Sequence, residues 1–204
     1  MENGFVFIDE ILHGIRWDAK YATWDNFTGK PVDGYEANRI VGTQALALAL
    51  MNVQKQAAGH GYGLLLWDAY RPQRAVDCFL RWFEQLEGGS TKEKYYPNIN
   101  RSEMIVKGYV APMSSHSRGS AVDLTLYDLS SGELISMGGY FDLMDECSHH
   151  ETESISNIEL QNRRTLRSIM ESNGFESYNF EWWHYVLKNE PYPCSYFDFP
   201  IIAV

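Results

Sequence analysis

The spacing of apolar and polar residues along the chain predicts three helices. The first spans residues 39–58, where Ala, Leu and Val form an apolar stripe, and it stops at the Gly-His-Gly sequence of residues 59–61. The second starts with a proline and covers residues 72–86, ahead of a Gly-Gly-Ser break. The third covers residues 157–172, with Asn157 as a possible N-cap.

Strand patterns separate these helices. Residues 63–67 form a short apolar run typical of a buried strand, and residues 121–126 alternate, with Val and two Leu sharing one face. The aromatic stretch 175–187 predicts one or two more strands. A Ser-Ser-Gly turn at 130–132 suggests a hairpin, and residues 138–156 are typical of a long loop. With 204 residues and no internal repeat or linker, the chain is expected to form one domain, residues 1–204.

The charge balance argues against a protein that binds nucleic acid. The net charge is −10 and the pI about 5.0, whereas affinity for nucleic acid depends on neutralising phosphates with Lys and Arg. The most basic stretch of the chain contains Arg163, Arg164 and Arg167 on a predicted helix. We interpret these residues as a solvated or subunit-contacting helix face.

Other global features favour a protein of the cytoplasm. The chain has no apolar run near the ~20 residues of a membrane span and no signal-like start. Cys78, Cys147 and Cys194 are odd in number and lack CxxC spacing, which indicates reduced thiols. We therefore expect a cytoplasmic protein with no membrane partner.

The strongest candidate for chemistry is a metal site built from distant segments. Asp123 is the only charged residue in the strand 121–126, and burying a carboxylate there is costly unless something neutralises it. His116 lies close enough to join it through a turn at Gly119, and His184 could complete the set. Two imidazoles and one carboxylate, with a fourth position left for water, are ligands typical of catalytic zinc.

Glu181, three residues before His184, could then serve as the general base. Positions i and i+3 face opposite ways on a regular strand, so a bend or bulge is expected near Trp182. Each residue also has an ordinary explanation: a hydrogen-bonded histidine, a capping Asp, or a Glu paired with an arginine. His149 and His150 are competing ligands, and we interpret them as an exposed loop pair.

Arg71 stands after the buried strand and before Pro72, where a side chain can reach a cleft. Its guanidinium could stabilise the oxyanion that forms when water attacks a carbonyl. A salt bridge to Asp68 or another local acid explains it equally well. Among the early aromatic residues, Tyr21 and Tyr35 could line a pocket, although packing is the simpler account.

Several motifs resemble the zinc D-alanyl-D-alanine dipeptidases of the VanX type. They are Ser-His-Ser-Arg-Gly-Ser-Ala-Val-Asp-Leu-Thr at 115–125, Glu-Trp-Trp-His-Tyr at 181–185 and Asp-Ala-Tyr-Arg-Pro at 68–72. The opening at 16–29, Gln-Asn-Arg-Arg at 161–164 and the ending at 195–200 extend the likeness over essentially the whole chain.

The resemblance implies an α+β fold, with helices around a small, mainly antiparallel central sheet and one Zn²⁺ per chain in its cleft. It implies that His116, Asp123 and His184 bind the zinc, that Glu181 is the base and that Arg71 supports the transition state. It also points to further contacts with the two ends and the methyl group of the substrate: Tyr21 and Asp142 near the ammonium, Ser114, Ser115 and Tyr35 near the carboxylate, and Phe79 as a wall of the methyl pocket.

By the same likeness, the substrate is free D-Ala-D-Ala, D-alanyl-D-lactate is spared, and the enzyme contributes to resistance against vancomycin-like antibiotics. The likeness also suggests a homodimer. A related zinc D,D-carboxypeptidase acting on longer peptidoglycan peptides remains an alternative. A catalytically inactive metal-binding module of the same fold is another, although the presence of Glu181 argues against it.

Overall fold

A computed structural model describes residues 2–89, 91–109 and 111–203. Its strands and helices alternate along the chain, with four short 3-10 turns between them. The strands are β1 (Phe5–Phe7), β2 (Arg16–Trp17), β3 (Val41–Thr43), β4 (Tyr62–Asp68), β5 (Ala121–Asp128), β6 (Phe175–Tyr178) and β7 (Glu181–Leu187). The helices are α1 (Ile8–Ile11), α2 (Gln44–Gly59), α3 (Gln73–Phe83), α4 (Lys92–Tyr95) and α5 (Asn157–Ser172).

The central sheet has five strands in the order β2-β4-β5-β7-β6. Only the short contact between β2 and β4 is parallel, and the other three pairs are antiparallel. Strands β1 and β3 form a separate antiparallel pair. Helices α2 and α5 pack on each other and on strands of the central sheet. The predicted α+β class, a single compact domain with helices around a mainly antiparallel sheet, is confirmed.

Two irregularities in the sheet reorient side chains at its edge. In β4 the pairing moves from Leu66 opposite Leu124 to Asp68 opposite Asp123, so Trp67 is an extra residue. Along β6 and β7 the pairing moves from Ser177 opposite Tyr185 to Tyr178 opposite Glu181. The second irregularity therefore includes Trp182 and confirms the bulge expected there.

The predicted helices exist, but their boundaries differ from the sequence estimate. The first begins at Gln44 rather than residue 39, because Val41–Thr43 pairs with β1 and the Thr43 hydroxyl accepts from the Leu46 N–H as N-cap. The second ends at Phe83. The third has the expected span, although Ser156 caps it, in a reciprocal capping box with Glu159.

One prediction about charge was wrong. Arg163 does not lie on a solvated helix face; its side chain is fully buried, and it donates hydrogen bonds to the carbonyls of Met137, Cys147 and His149. Arg164 and Arg167, by contrast, form exposed or half-buried ion pairs. The three cysteines are free thiols, as expected. Over the described ranges, every helix is too short or too polar to cross a membrane.

Candidate metal centre and active site

Three candidate metal ligands converge at one end of the central sheet. Asp123 and His184 are direct partners across the antiparallel β5–β7 pair, so their side chains share a face. His116 reaches them from the 3-10 turn Ser115–Arg118, which ends at Gly119 with a φ of 80°. One ligand atom from each residue lies within 4.8 Å of the other two. The structure thus brings together the three residues that the sequence singled out.

His116 presents a lone pair to this cluster. Its Nδ1 lies 2.6 Å from the Ala69 carbonyl oxygen, which can only accept a hydrogen bond, so Nδ1 carries the hydrogen. Nε2 is then an acceptor, 3.0 Å from His184 Nδ1 and 3.2 Å from Asp123 Oδ2. Burial lowers the pKa of His116 and outweighs the opposing effect of Asp123, which favours the neutral ring that a metal requires.

His184 points its Nδ1 at the same place. This atom lies 3.0 Å from Asp123 Oδ1, and Nε2 on the far side of the ring lies 3.2 Å from the Ser115 hydroxyl. Burial alone would lower the pKa of His184, but Asp123 outweighs it and raises the pKa. Burial likewise tends to raise the pKa of Asp123, and the two histidines bring it below its usual range. The geometry therefore concentrates two ring nitrogens and a carboxylate around one point that favours positive charge.

Glu181 stands at the start of β7, on the wall of the cavity that contains the three candidate ligands. Burial raises its pKa to about 7, although the neighbouring His184 opposes the shift. A carboxylate with this pKa can both accept and release a proton near neutral pH. Glu181 is therefore suited to acid–base work beside the ligand cluster.

Arg71 follows β4 and is held by two buried carboxylates. Its Nε and Nη2 atoms each lie 2.9 Å from Asp68 Oδ2, and Nη2 lies 3.4 Å from Asp123 Oδ2. The side chain also lines the cavity. Both interpretations of the sequence therefore apply, since Arg71 pairs with Asp68 and still faces the space next to the ligand cluster.

Asp142 offers a second negative group to the cavity. Its backbone has a φ of 60°, the only positive value for a residue other than Gly in the described ranges. Its Oδ1 accepts from the Tyr21 hydroxyl at 3.0 Å, while the buried Oδ2 has no hydrogen-bond partner within the described part of the chain. Burial raises the pKa of Asp142 well above its ordinary range, so a cation bound at Oδ2 would stabilise the charged form.

The remaining predicted residues divide into two groups. Ser114, Ser115 and Phe79 line the cavity, which has a volume of about 440 Å³. Tyr35 does not line this cavity; its side chain is buried, and its hydroxyl donates to Asp68 Oδ1 at 2.7 Å. The structure therefore places Tyr35 next to Asp68, the carboxylate that holds Arg71, rather than on the cavity surface.

The competing histidines lie away from this cluster. His149 is half-buried with its ring edge-on to Phe180, and His150 is buried with 2% of its surface exposed. The expectation of an exposed pair was therefore wrong for His150, because its ring lies edge-on to the buried Tyr185 of β7 and its backbone N–H donates to the Asn179 carbonyl. Neither residue lines the cavity.

Asp68 is the residue that sequence reasoning undervalued. It ends an apolar strand as the single charged residue of β4, which is the same signal that drew attention to Asp123. The Trp67 bulge then places it opposite Asp123. Its role could have been suspected from that signal, but its pairing depends on an irregularity that the sequence does not reveal.

Comparison with known proteins agrees with this geometry. A family model for D-Ala-D-Ala dipeptidases, Peptidase_M15, matches residues 1–202. The chain belongs to this family. It is 70% identical to a D-alanyl-D-alanine dipeptidase of Enterococcus faecalis, over 98% of this chain and all of that protein. A protein of the same name from Streptomyces coelicolor is 65% identical over the same shares of the two chains, and one from Escherichia coli is 33% identical over 95% of this chain and 86% of its own.

Membership in the D-Ala-D-Ala dipeptidase family makes this chain a peptidase, and peptidases of this family are metallopeptidases. The expected resemblance is thereby confirmed, together with a small peptide as the class of substrate.

The donor set and charges of the cavity fit a divalent metal ion. Four carboxylates, those of Asp68, Asp123, Asp142 and Glu181, face one guanidinium, that of Arg71. Ionising all four of these carboxylates beside a single guanidinium is costly without a bound cation, and burial accordingly raises the pKa of Asp68, Asp142 and Glu181. Two nitrogen ligands and one oxygen ligand are a set that zinc accepts.

Proposed function

We propose that this protein is a zinc-dependent dipeptidase that hydrolyses D-Ala-D-Ala to two molecules of D-alanine. The observation that carries the proposal is the convergence of His116, Asp123 and His184 beside Glu181 in one cavity. The family match and the names of the highly similar relatives support the choice of substrate.

His116 Nε2, Asp123 and His184 Nδ1 would hold one Zn²⁺ per chain. When bound, zinc lowers the pKa of a water molecule and polarises the peptide carbonyl. Ala69 O and Ser115 Oγ, at the far nitrogens of the two rings, fix the orientation in which the rings present their lone pairs.

Glu181 would take the proton from the attacking water and deliver it to the nitrogen of the leaving D-alanine. The transfer conserves the charge of the site, because the carboxylate is regenerated when the amine leaves. The pKa of about 7 supports this role, since a base near the working pH both accepts and donates efficiently.

Arg71 would donate hydrogen bonds to the carbonyl oxygen as negative charge develops on it. Asp68 holds the guanidinium from behind, and Tyr35 donates in turn to Asp68. A donor fixed in advance stabilises the transition state more than one that must reorganise, and loss of one such donor typically costs about 10²–10³ in kcat.

The cavity wall offers a partner for each charged end of a free dipeptide. Asp142, steadied by Tyr21, would accept the substrate ammonium at Oδ2. The hydroxyls of Ser114 and Ser115 would bind the carboxylate, and the buried Phe79 ring would bound the pocket for a methyl group.

The same cavity supports selectivity for the amide over the ester. The peptide N–H is a donor that D-alanyl-D-lactate lacks, so an acceptor that binds it would be left unpaired by the ester. Glu181 is the acceptor that we assign to this N–H. Removal of D-Ala-D-Ala without loss of D-alanyl-D-lactate would contribute to resistance against vancomycin-like antibiotics. Location in the cytoplasm and a homodimeric state stay predictions.

One experiment tests the central claim. Zinc content and hydrolysis of D-Ala-D-Ala, L-Ala-L-Ala, D-alanyl-D-lactate and a pentapeptide ending in D-Ala-D-Ala are measured on wild type, Glu181→Gln and Glu176→Gln. Glu176 lines the same cavity from β6 and is exposed, so it is the matched control. We expect wild type and Glu176→Gln to bind one zinc and cleave D-Ala-D-Ala, and Glu181→Gln to bind zinc without turnover.

Full turnover by Glu181→Gln would refute the assigned base. Preference for the pentapeptide would instead favour a D,D-carboxypeptidase. Equal rates on D-Ala-D-Ala and the ester would remove the proposed selectivity while leaving the hydrolytic site intact.

A further inference from the structure

Arg163 is a buried cation that no carboxylate pairs with in the described ranges. It lies in the middle of α5 with 0% of its surface exposed. Its Nε and Nη1 atoms donate to three backbone carbonyls, whereas Nη2 has no partner among the described residues. The nearest acid on its helix, Glu159, is already bound to Ser136 and to the backbone of Ser156.

A second unsatisfied donor lies beside it. The indole Nε1–H of Trp182 is buried and has no partner in the described part of the chain, and the Arg163 guanidinium carbon lies 5.6 Å from the Trp182 ring. Buried donors are nearly always paired, because leaving one unpaired costs about 1–3 kcal/mol. Two such donors from neighbouring side chains indicate a common acceptor.

Gly139 marks the place that both donors adjoin. A methyl group added there would lie 3.5 Å from Arg163 Nη2, 3.8 Å from Trp182 Nε1 and 3.8 Å from Leu143 Cδ2. Gly139 therefore faces both donors, and it has no side chain of its own to fill the space beside them. Gly139 and Trp182 also belong to the wall of a second cavity of about 820 Å³, which supplies a route from solvent.

We propose that Arg163 Nη2 and Trp182 Nε1 bind one small monovalent anion, of the size of chloride, next to Gly139. Two N–H donors, one of them charged, form the hydrogen bonds that an anion accepts, and the apolar contact with Leu143 leaves it no competing acceptor on that side. A water molecule would satisfy the donors but would leave the buried positive charge uncompensated. Burial lowers the pKa of Arg163 to about 10, which shows that this charge is costly.

The position of the site gives it a consequence for β7. Trp182 lies within the β6–β7 irregularity, directly after Glu181 and two residues before His184. An anion that joins Trp182 to α5 would tie this irregular segment to a helix. The site is separate from the proposed metal centre, since neither Arg163 nor Trp182 lines the first cavity.

Bromide is the probe for the test, because it resembles chloride and scatters X-rays anomalously. Crystals of the full chain grown with sodium bromide should show an anomalous peak between Arg163 Nη2 and Trp182 Nε1. In solution, the Tm should rise with bromide or chloride concentration and then saturate. Sodium gluconate at equal ionic strength should have no such effect, because its anion is too large for the site.

Gly139→Ala is the decisive variant, because the new methyl group would project toward both donors and crowd an anion bound between them, without removing either donor. Gly139 is not among the glycines with positive φ, so alanine fits its backbone. The variant should lose both the peak and the saturable halide response. Gly59→Ala is the matched control, since an added methyl there meets nothing within 4 Å, and it should retain both.

The absence of an anomalous peak in wild type, or a halide response that persists in Gly139→Ala, would overturn the proposal and indicate that the two donors bind water instead. Should Gly139→Ala fail to fold, Trp182→Phe keeps the ring and deletes one donor. Its halide affinity should fall at least several-fold, with exposed Trp24→Phe as its control; an unchanged affinity would overturn the proposal equally.

Discussion

Asp68 gives the sharpest test of how the active site is assembled. It is a buried carboxylate 2.9 Å from two nitrogens of Arg71, and it also accepts from Tyr35 at 2.7 Å. In Asp68→Asn the amide oxygen can still face Arg71, and the Tyr35 hydroxyl can rotate to accept from the amide nitrogen. The substitution therefore keeps the shape of the site but removes the charge that holds Arg71.

The expected loss follows from the hydrogen bond that the charge strengthens. A hydrogen bond to a charged group contributes about 1.5–3 kcal/mol. If that stabilisation of the guanidinium is needed only when the oxyanion forms, kcat should fall about 10- to 150-fold, at ~1.36 kcal/mol per factor of ten. KM should change little, because Asp68 touches Arg71 and not the proposed substrate.

Steady-state hydrolysis of D-Ala-D-Ala, with zinc content and Tm measured on the same samples, checks this expectation. Asp9→Asn is the matched control, because Asp9 is also a buried carboxylate, 2.7 Å from Arg39 Nε, but lies outside the cavity wall. It should lower the Tm and leave kcat unchanged. The reasoning would be refuted if Asp68→Asn kept its zinc and lost stability but retained the wild-type kcat.

Three further outcomes are expected. Removal of the metal with a chelator should abolish turnover and lower the Tm, and added Zn²⁺ should restore both, because the ligands bind the ion only when folded; His116→Ala should not recover. The rate should fall on the acidic side of a pKa at or below about 7, because Glu181 must be ionised and a bound cation can only lower that value. A midpoint of the acidic limb clearly above 7 would contradict this. Burial lowers the pKa of His150 to about 4, so on acidification the unfolded chain protonates this histidine before the folded chain does. The free energy of unfolding should therefore decrease as the pH falls from about 6.5 to 4, by at most about 3 kcal/mol. Urea unfolding of His150→Asn should lack this pH-dependent decrease.

The sequence predicted elements well where one pattern dominated. Strand β5 and helix α5 follow from alternation and from helical spacing, and both appear within a residue or two of their expected limits. The start of α2 was misplaced, because helix propensity between residues 39 and 43 yields to pairing of β3 with β1. Tertiary pairing overrides local preference at such a boundary.

The site was predictable in its members more than in its arrangement. His116, Asp123 and His184 could be chosen from residue type and motif, but their meeting depends on the β5–β7 register, which pairs Asp123 with His184. Arg163 was misjudged because an arginine surrounded by polar neighbours in sequence is usually solvated. Its actual partners are backbone carbonyls of residues 137–149, and no local sequence pattern indicates them.

The pairing of Asp123 with His184 has a consequence for redesign. The two side chains belong to adjacent strands joined by backbone hydrogen bonds, so a slip of one residue would turn either of them to the opposite side of the sheet. Substitutions at substrate-contact positions outside the two strands, such as Ser114 and Asp142, in contrast, leave that register unaltered. Directed evolution toward other small peptides should therefore accumulate changes at such positions and leave Asp123 and His184 in place.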